Sequence, residues 1–397
     1  MFSVERKDFG PGFVFGAATA AYQIEGGQTD GRSDSIWDTF SRTPGNVKGM
    51  ATGETADDHY NRWPEDLDLL RDGGFDAYRF SLAWPRLIPE GVGQVNQAGV
   101  DFYDRLIDGM LERGLKPFAT LYHWDLPSVL QDRGGWMNRD IAGWFADYAS
   151  LVAHKFGDRL HATATINEPW CVAFLSHFLG VHAPGYRDIR AAARAMHHVL
   201  LAHGTAVGAL RAEGAKNLGI VTNLQKSEPA SDKPEDVAAA HLFDGVFNRW
   251  YLDGINYYSR SLLAHNAGNP IQPLVVKGPG EASDLGWEFY PKGLTDLLVR
   301  VSTEYTKVPI YVTENGMSET DDARRVRYYD LHLQAVQEAR KQGADVRGYF
   351  AWSLLDNYEW AEGYASRFGI VHVDYETQKR TPKGSYRAFQ GMLHNTR

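Results

Sequence analysis

Short, nearly continuous apolar segments alternate along the chain with longer segments that have the roughly 3.6-residue periodicity of amphipathic helices. A strand that is buried on both faces has such a continuous apolar pattern, because neither face meets water. The predicted strands are Phe13–Ala17, Ala77–Trp84, Lys116–Trp124, Ala162–Asn167, Leu218–Asn223, Gly254–Tyr258, Ile310–Glu314 and Val346–Trp352. The alternation predicts an α/β protein with a parallel sheet and crossover helices.

Helical periodicity is clearest in the intervening segments Val100–Arg113, Arg139–Phe156, Ile189–Glu213 and Asp322–Gln342. Eight strand–helix units favour a closed (β/α)8 TIM barrel over an open doubly wound sheet. The length of 397 residues is within the range of one such barrel with long loops. Because no Pro/Ser-rich linker, low-complexity tract or repeat interrupts the pattern, residues 1–397 are predicted to form a single domain.

The chain is acidic, with Lys+Arg 41 against Asp+Glu 50 and a formal net charge of −9. This charge disfavours nucleic acid as a partner, because phosphates would be repelled, and it provides no polybasic patch for an anionic membrane. No stretch approaches the ~20 apolar residues of a membrane-spanning helix. No signal-peptide pattern is present, and the single cysteine, Cys171, excludes an intrachain disulfide. A cytoplasmic protein is expected, and no feature indicates an oligomeric state.

Two glutamates stand at the ends of predicted strands, Glu168 in Thr-Ile-Asn-Glu-Pro and Glu314 in Val-Thr-Glu-Asn-Gly. They are 146 positions apart (314 minus 168), but the carboxyl ends of barrel strands all open onto one face. Pro169 disfavours helical backbone angles at the residue before it and predicts an extended Glu168. The adjacent Asn167 and Asn315 offer amide donors beside the carboxylates. Either glutamate alone could be an exposed strand-end residue, but two facing carboxylates are the minimum equipment for cleaving a glycosidic bond.

Other chemistries have weaker support. No His-Glu-x-x-His motif occurs, and His197, His198 and His203 lack the spacing of two metal ligands on one helix face. No Gly-x-Gly-x-x-Gly fingerprint follows a strand, and neither a Walker A nor a Gly-x-Ser-x-Gly motif is present, so no metal or nucleotide cofactor is expected.

Aromatic residues are abundant (Trp 11, Tyr 20, Phe 19). Core packing accounts for most of them, but aromatic faces also pack against the C–H faces of sugars.

The motifs around both glutamates resemble the two signature motifs of the retaining β-glucosidases of glycoside hydrolase family 1. Further ordered matches cover nearly the whole chain, at Phe13–Gly26, Tyr78–Ser81, Leu121–Trp124, Gly254–Tyr258, Trp352–Trp360 and Arg367–Gly369. The resemblance implies hydrolysis of β-glycosides on a (β/α)8 barrel with no required cofactor. It also implies that Glu168 is the acid/base and Glu314 the nucleophile.

The same resemblance implies which residues hold the sugar. The implied set is Gln23, His123, Asn167, Asn256, Glu359 and Trp360, with Trp352 as the floor and Trp124 and Phe368 as walls. Arg79 and Tyr258 are expected to flank Glu314, where a guanidinium and a phenol O–H would keep its carboxylate ionised and aimed at the anomeric carbon. Glu168 is expected to start protonated, because of a less polar setting and the charge of Glu314. A bell-shaped pH profile of kcat/KM is therefore predicted.

The substrate class is partly readable. No Lys occurs from Asn357 to Phe368, and Glu359 would repel a phosphate, which favours unphosphorylated β-glucosides. Gln23 and Glu359 are compatible with either C4 configuration, so β-galactosides and β-fucosides are also expected. The loops expected to meet the aglycone surround Trp170, Cys171, His182 and Trp287. Two alternatives stay open: a transglycosidase, in which an acceptor sugar outcompetes water, and a weakly active or non-catalytic sugar-binding barrel.

The chain departs from the family pattern before the sixth predicted strand. Phe243–Trp250 runs almost directly into Tyr251–Tyr258, whereas family members have several tens of additional residues between the corresponding segments. A thin cover, raised mobility and lower stability are expected in this sector, together with an apolar crevice beside Trp250 that is open to an adventitious flat ligand. The shortening also puts the positions of Asn256 and Tyr258 in question.

Overall fold

Eight parallel strands form a closed barrel in the computed structural model, which describes residues 1–248, 255–269, 272–305 and 307–394. The barrel strands are β1 (Val14–Ala18), β2 (Ala77–Ser81), β3 (Lys116–Tyr122), β4 (Ala162–Asn167), β5 (Leu218–Asn223), β6 (Ile255–Asn256), β7 (Ile310–Asn315) and β8 (Val346–Trp352). Neighbours around the barrel follow chain order, and β8 pairs with β1 to close it. The predicted (β/α)8 TIM barrel is thereby confirmed.

Helices surround the barrel and connect its strands. Those among the described residues are α1 (Ala21–Ile24), α2 (Ile36–Arg42), α3 (His59–Asp72), α4 (Trp84–Leu87), α5 (Gln97–Glu112), α6 (Ser128–Asp132), α7 (Ile141–Phe156), α8 (Ile189–Ala212), α9 (Pro234–Phe247), α10 (Pro291–Arg300), α11 (Asp322–Lys341) and α12 (Gly384–His394). In α5, residues Tyr103, Leu106 and Met110 are buried at the spacing of an amphipathic helix. Of the helices described, none is both long and apolar enough to cross a membrane.

Aromatic rings fill the barrel interior. Phe118 of β3 contacts Tyr311 of β7 and Phe350 of β8, with ring centroids 5.6 and 4.9 Å apart, so these side chains meet across the barrel. Gly16 of β1 makes room for this layer, because a Cβ there would lie 2.4 Å from the Phe350 ring. The packed interior closes the barrel and leaves its mouth as the place for chemistry.

Strand register brings polar residues together at the mouth. Asn223 of β5 pairs with Asn256 of β6, and Asn256 pairs with Glu314 of β7. Since the strands are parallel, these side chains lie at the same carboxyl-terminal end of the barrel. Asn256 and Tyr258, whose positions the shortened segment put in question, therefore sit beside the end of β7.

Three parts of the structure lie outside the sequence prediction. A π-helical segment, Cys171–Leu179, follows Glu168 almost directly. A small sheet is formed by Lys226–Pro229, Arg260–Ala264 and Leu274–Val276, and a two-stranded sheet by Val371–Val373 and Arg380–Pro382. Trp250, with its expected crevice, and Gly254 lie outside the described residues, so the expectations for that sector stay predictions.

Candidate active site

Glu314 lies at the end of β7 with both carboxylate oxygens hydrogen-bonded. Arg79 of β2 donates from Nη1 to Oε1 over 2.6 Å, and Tyr258 donates from its phenol oxygen to Oε2 over 2.5 Å. The side chains of Arg79 and Glu314 are each only 3% exposed. The carboxylate is thus fixed in orientation and held in a water-poor setting by one charged and one neutral donor.

Glu168 lies between the end of β4 and the next helical turn, and its two carboxyl oxygens also have different partners. Asn256 donates from Nδ2 to Oε1 over 2.8 Å, and the Cys171 thiol donates to Oε2 over 3.1 Å. Burial, together with the negative charge of Glu314, raises the pKa of Glu168 to about 7. A carboxyl with this pKa can give up a proton and take one back near neutral pH.

The backbone at Glu168 differs from the sequence prediction. Pro169 was expected to keep Glu168 extended. The φ of Glu168 is instead +48°, in the left-handed region. The reason is topological: strand β4 ends at Asn167 and a helical turn starts at Pro169, so one residue must make the whole change of direction. Trp124 and Trp360 also have positive φ values, of 79° and 46°. Such backbone strain clusters at functional sites, where surrounding contacts hold it in place.

A chain of hydrogen bonds joins the two glutamates. Arg79, already bound to Glu314, donates from Nη2 to Oδ1 of Asn167 over 2.7 Å. Asn256 approaches the same oxygen at 3.3 Å and reaches Glu168 with the same amide group. The orientation of the Asn256 amide is fixed by Thr313, whose hydroxyl donates to Oδ1 over 2.8 Å. The two carboxyl groups are therefore positioned by one shared set of donors.

Asn315 does not contribute to this network, contrary to its expected role as an amide donor beside a carboxylate. Its Nδ2 donates to the Tyr257 carbonyl over 2.6 Å, and its Oδ1 accepts a hydrogen bond from Tyr349. Consecutive residues of a strand point to opposite sides. Because Glu314 faces the barrel mouth, the next residue has to face the surrounding helices.

The residues expected to hold a sugar surround one side of the glutamates. Gln23 donates from Nε2 to the Tyr358 carbonyl over 2.9 Å and to Glu359 over 3.4 Å. Burial and the charge of Glu314 raise the pKa of Glu359 to about 8. Within the part of the chain that the structure describes, Gln23 Oε1 and His123 Nδ1 are buried without a hydrogen-bond partner. Unpartnered polar atoms of this kind are suited to sugar hydroxyl groups.

Aromatic rings form the walls around these polar groups. The His123 ring is nearly parallel to Trp352 and to Trp360, with both centroid distances at 5.9 Å. Trp124 contacts Trp360 with centroids 4.6 Å apart. The ring of Phe368 lies 6.1 Å from that of Tyr258, again between centroids. Flat apolar walls combined with polar edges match the two kinds of surface on a pyranose.

A cavity of about 740 Å³ opens from the two glutamates. Its lining includes His123, Trp124, Glu168, Asn256, Tyr258, Glu314, Trp352, Glu359, Trp360 and Phe368 from the predicted site, and Trp170, Cys171, His182 and Trp287 from the predicted aglycone loops. Arg79 and Asn167 lie behind this lining, and Gln23 lies beneath Glu359. Further apolar lining comes from Phe174, Phe178, Val246 and Phe247.

Two contacts of the Cys171 thiol were not expected from the sequence. Cys171 was expected only among loops near the aglycone, yet its thiol binds the Glu168 carboxyl, and Asn223 in turn approaches the sulfur at 3.4 Å. The available signal was spacing, because residues three apart share one side of a helical turn. Across the described residues no group of three or more His, Cys, Asp or Glu is arranged to hold a metal ion.

Comparisons with known proteins identify similar chains. The model of glycosyl hydrolase family 1 matches residues 5–269 and 254–397. Beta-glucosidase A of Thermotoga maritima is 45% identical over 439 residues, covering 98% of each chain. A bifunctional beta-D-glucosidase/beta-D-fucosidase of Bifidobacterium breve is 42% identical over 452 residues, covering 95% of this chain and 96% of the relative. The structure of the family 1 β-glucosidase from Thermotoga maritima superimposes with a TM-score of 0.93 at 43% identity, covering 97% of both chains.

The alignment with the Thermotoga maritima enzyme also bears on the shortened segment. It spans 439 positions, whereas 98% of the 397 residues of this chain is about 389. About 50 aligned positions therefore have no counterpart here. The family match is itself in two parts, which overlap at residues 254–269. This overlap is next to the place where the sequence analysis puts the shortened segment.

Proposed function

The chain belongs to glycosyl hydrolase family 1, and from this premise we propose that it is a β-glucosidase of retaining mechanism, with Glu314 as nucleophile and Glu168 as acid/base. The observation that carries the proposal is the contrast between the two buried carboxyl groups facing one cavity. Glu314 is fixed by Arg79 and Tyr258, as a nucleophile must be, whereas the pKa of Glu168 is raised to about 7. Two carboxyl groups with separate environments can act as acid and nucleophile.

In the first step Glu314 attacks the anomeric carbon while Glu168 protonates the glycosidic oxygen, and the leaving alcohol departs. The glucosyl group is then bonded to Glu314, whose negative charge has disappeared. That charge is one cause of the raised pKa of Glu168, so Glu168 becomes more acidic in the intermediate. The ionised Glu168 takes a proton from water, which attacks the same carbon and releases β-glucose with retained configuration.

The substrate class follows from the groups around the first subsite. Gln23, His123 and Glu359 supply donors and acceptors at the edge of the ring, and Trp352 and Trp360 supply apolar faces. A relative is named as a bifunctional β-D-glucosidase/β-D-fucosidase, which supports activity on both β-glucosides and β-fucosides. Relatives from Thermotoga neapolitana are named 1,4-beta-D-glucan glucohydrolase, which supports short β-1,4-glucans as natural substrates. No Lys occurs from Asn357 to Phe368 to pair with a phosphate, which supports unphosphorylated sugars.

The test replaces each glutamate by Ala and supplies azide as a small external nucleophile. With 2,4-dinitrophenyl β-D-glucoside, Glu314→Ala is expected to lose at least about 10⁴-fold in kcat. Azide should then attack from the face that Glu314 occupied and give α-glucosyl azide. Glu168→Ala should still form the glucosyl-enzyme with this activated leaving group, and azide should then give β-glucosyl azide. The anomeric configuration of the product, read by NMR, separates the two roles.

A matched control is Glu362→Gln, which changes a partly exposed glutamate that lines the same cavity. It is expected to keep the wild-type rate and to form no glucosyl azide. If both glutamate variants kept near-native turnover of an alkyl β-glucoside, or gave the opposite azide anomers, the assigned roles would be wrong. Disaccharide products from glucose-rich mixtures would reveal a transglycosidase, and failure of the wild type to release glucose would reveal a sugar-binding barrel.

A further inference from the structure

The Cys171 thiol lies between Glu168 and Asn223 at the entrance of the π-helical segment. Its sulfur is 3.1 Å from Oε2 of Glu168, and Nδ2 of Asn223 donates to it from 3.4 Å. Cys171 is 6% exposed and lines the cavity next to the carboxyl group. Both neighbours thus hold the sulfur in place against the one carboxyl oxygen that Asn256 does not bind.

The hydrogen bonds of Glu168 determine which of its oxygens can carry a proton. Oε1 accepts from the Asn256 amide, whose orientation is fixed because Thr313 donates to the other end of that amide. An oxygen that faces a fixed donor is a poor place for a second proton. The transferable proton of Glu168 therefore belongs on Oε2, which is the oxygen in contact with Cys171.

A thiol is suited to this place because its sulfur both donates and accepts hydrogen bonds, each time weakly. When Glu168 is ionised the S–H donates to Oε2, and when Oε2 carries the proton the sulfur can accept from it. Burial and the neighbouring Glu168 hold the pKa of the Cys171 thiol well above its usual range, so it stays an S–H group while Glu168 changes state.

We propose that Cys171 is a positioning residue for the acid/base step: it holds Oε2 of Glu168 toward the leaving-group oxygen by a hydrogen bond weak enough to be exchanged at each proton transfer. The proposal rests on the proposed role of Glu168. The other titratable or charged groups acting on Glu168 are Glu314 of β7, Arg79 of β2, and Tyr258 and Glu359 beyond the ends of β6 and β8. Among the described residues the sulfur is hydrogen-bonded to Glu168 and Asn223 and to none of these four groups, so a change at Cys171 leaves their charges in place.

The test compares Cys171→Ser with Cys171→Val in the pH dependence of kcat/KM for 4-nitrophenyl β-D-glucoside. Serine has a stronger O–H donor, which stabilises ionised Glu168, so the basic limb should move to lower pH. Valine has no donor, so the basic limb should move to higher pH. Each shift is expected at about half to one pH unit, from the usual strength of one hydrogen bond. Each profile is normalised to its own maximum, so a smaller amount of folded protein in one variant does not change the pH at which the basic limb falls.

A second readout separates positioning from a purely structural effect. Cys171→Val should lower kcat/KM about 3–10-fold for an alkyl β-glucoside, whose leaving group needs a proton, and leave 2,4-dinitrophenyl β-D-glucoside nearly unchanged. Cys171→Ser should recover most of the loss. The matched control is Ser176→Ala, since Ser176 donates to the Cys171 carbonyl within the same π-helical segment but does not contact Glu168.

The proposal is supported if the basic limb moves to lower pH in Cys171→Ser and to higher pH in Cys171→Val, while the Ser176→Ala profile stays at the wild-type position. The proposal is overturned if the basic limbs of both Cys171 variants coincide with that of the wild type, or if Cys171→Val loses kcat/KM equally on the alkyl and the 2,4-dinitrophenyl β-glucoside. In both cases the wild-type enzyme remains active. The proposed function fails in a different way, through turnover that survives in the Glu168→Ala and Glu314→Ala variants. The two failures are therefore distinguishable.

Discussion

Arg79 and Glu314 form a buried ion pair, with 2.6 Å between Nη1 and Oε1, at the point where strands β2 and β7 face each other across the barrel mouth. The guanidinium has a second task, because Nη2 binds Asn167 while Nε reaches the Thr120 hydroxyl. One planar group thus fixes the carboxylate of the proposed nucleophile relative to the residue that precedes Glu168. A lysine would keep the charge but could not make these bonds at once.

Arg79→Lys is therefore expected to reduce kcat by roughly 10–100-fold, because a carboxylate displaced by a fraction of an ångström no longer aligns with the anomeric carbon. KM should change much less, since Arg79 does not line the cavity. Steady-state kinetics on 4-nitrophenyl β-D-glucoside gives both values. Arg71→Lys is the control, because Arg71 forms an exposed ion pair on α3. An Arg79→Lys enzyme with wild-type kcat would show that the several hydrogen bonds of the guanidinium are not needed to align Glu314 with the anomeric carbon.

Much of the site could be predicted because strand ends of a barrel converge. Glu168 and Glu314 each follow an apolar run, and this alone places both at one face. The positive φ of Glu168 was not predictable from Pro169, which disfavours the right-handed helical region but leaves the left-handed one open. The outward direction of Asn315 could have been predicted, because consecutive strand residues point to opposite sides and Glu314 points to the mouth. The expectation that Asn315 donates to a carboxylate did not take this alternation into account.

Other parts of the structure had no readable signal. The π-helical segment Cys171–Leu179 is apolar on nearly all sides, so its nine residues do not distinguish one helical period from another. The strand Lys226–Pro229 is polar and pairs with Arg260–Ala264, more than thirty positions away, which no local pattern encodes. The contact of Cys171 with Glu168 depends on that unpredicted helix. The sugar-holding residues came from family resemblance, not from periodicity.

Asp356 anchors the segment that carries Glu359, Trp360 and Phe368. Its buried carboxylate accepts hydrogen bonds from the backbone N–H of Gly369 over 3.0 Å and from the Lys383 ammonium over 2.7 Å, and Arg367 lies 3.2 Å away. Asp356→Ala would leave these donors without their shared acceptor.

We expect Asp356→Ala to lower the free energy of unfolding by about 3–5 kcal/mol, as removal of one partner from a buried ion pair does. KM should also rise, because Glu359 and Trp360 would lose their support. Urea unfolding and steady-state kinetics measure the two effects. Asp345→Ala, which breaks an exposed pair with Arg347, should cost less than about 1 kcal/mol. Equal effects from the two variants would contradict the anchoring role.

Asp125 should make the stability of the fold depend on pH. It is 1% exposed, and within the described residues neither of its carboxylate oxygens accepts a hydrogen bond from another residue. Burial raises its pKa from 3.8 to about 8. In the unfolded chain the carboxyl ionises near pH 4, so the folded state holds a proton that the unfolded state has lost. The stability associated with this proton is complete below pH 4 and is lost as the pH rises to about 8.

Asp125→Asn should therefore match the wild type near pH 4, where both side chains are neutral, and exceed it by about 2–5 kcal/mol at pH 8 to 9. Urea-unfolding midpoints measured from pH 4 to pH 9 test this. Asp147→Asn, at an exposed position on α7, is the control and should follow the wild-type curve. Part of the slope should persist in Asp125→Asn, because burial also raises the pKa of Asp57 and Glu359. A constant difference between variant and wild type at all pH values would mean that Asp125 is ionised in the folded protein throughout this range.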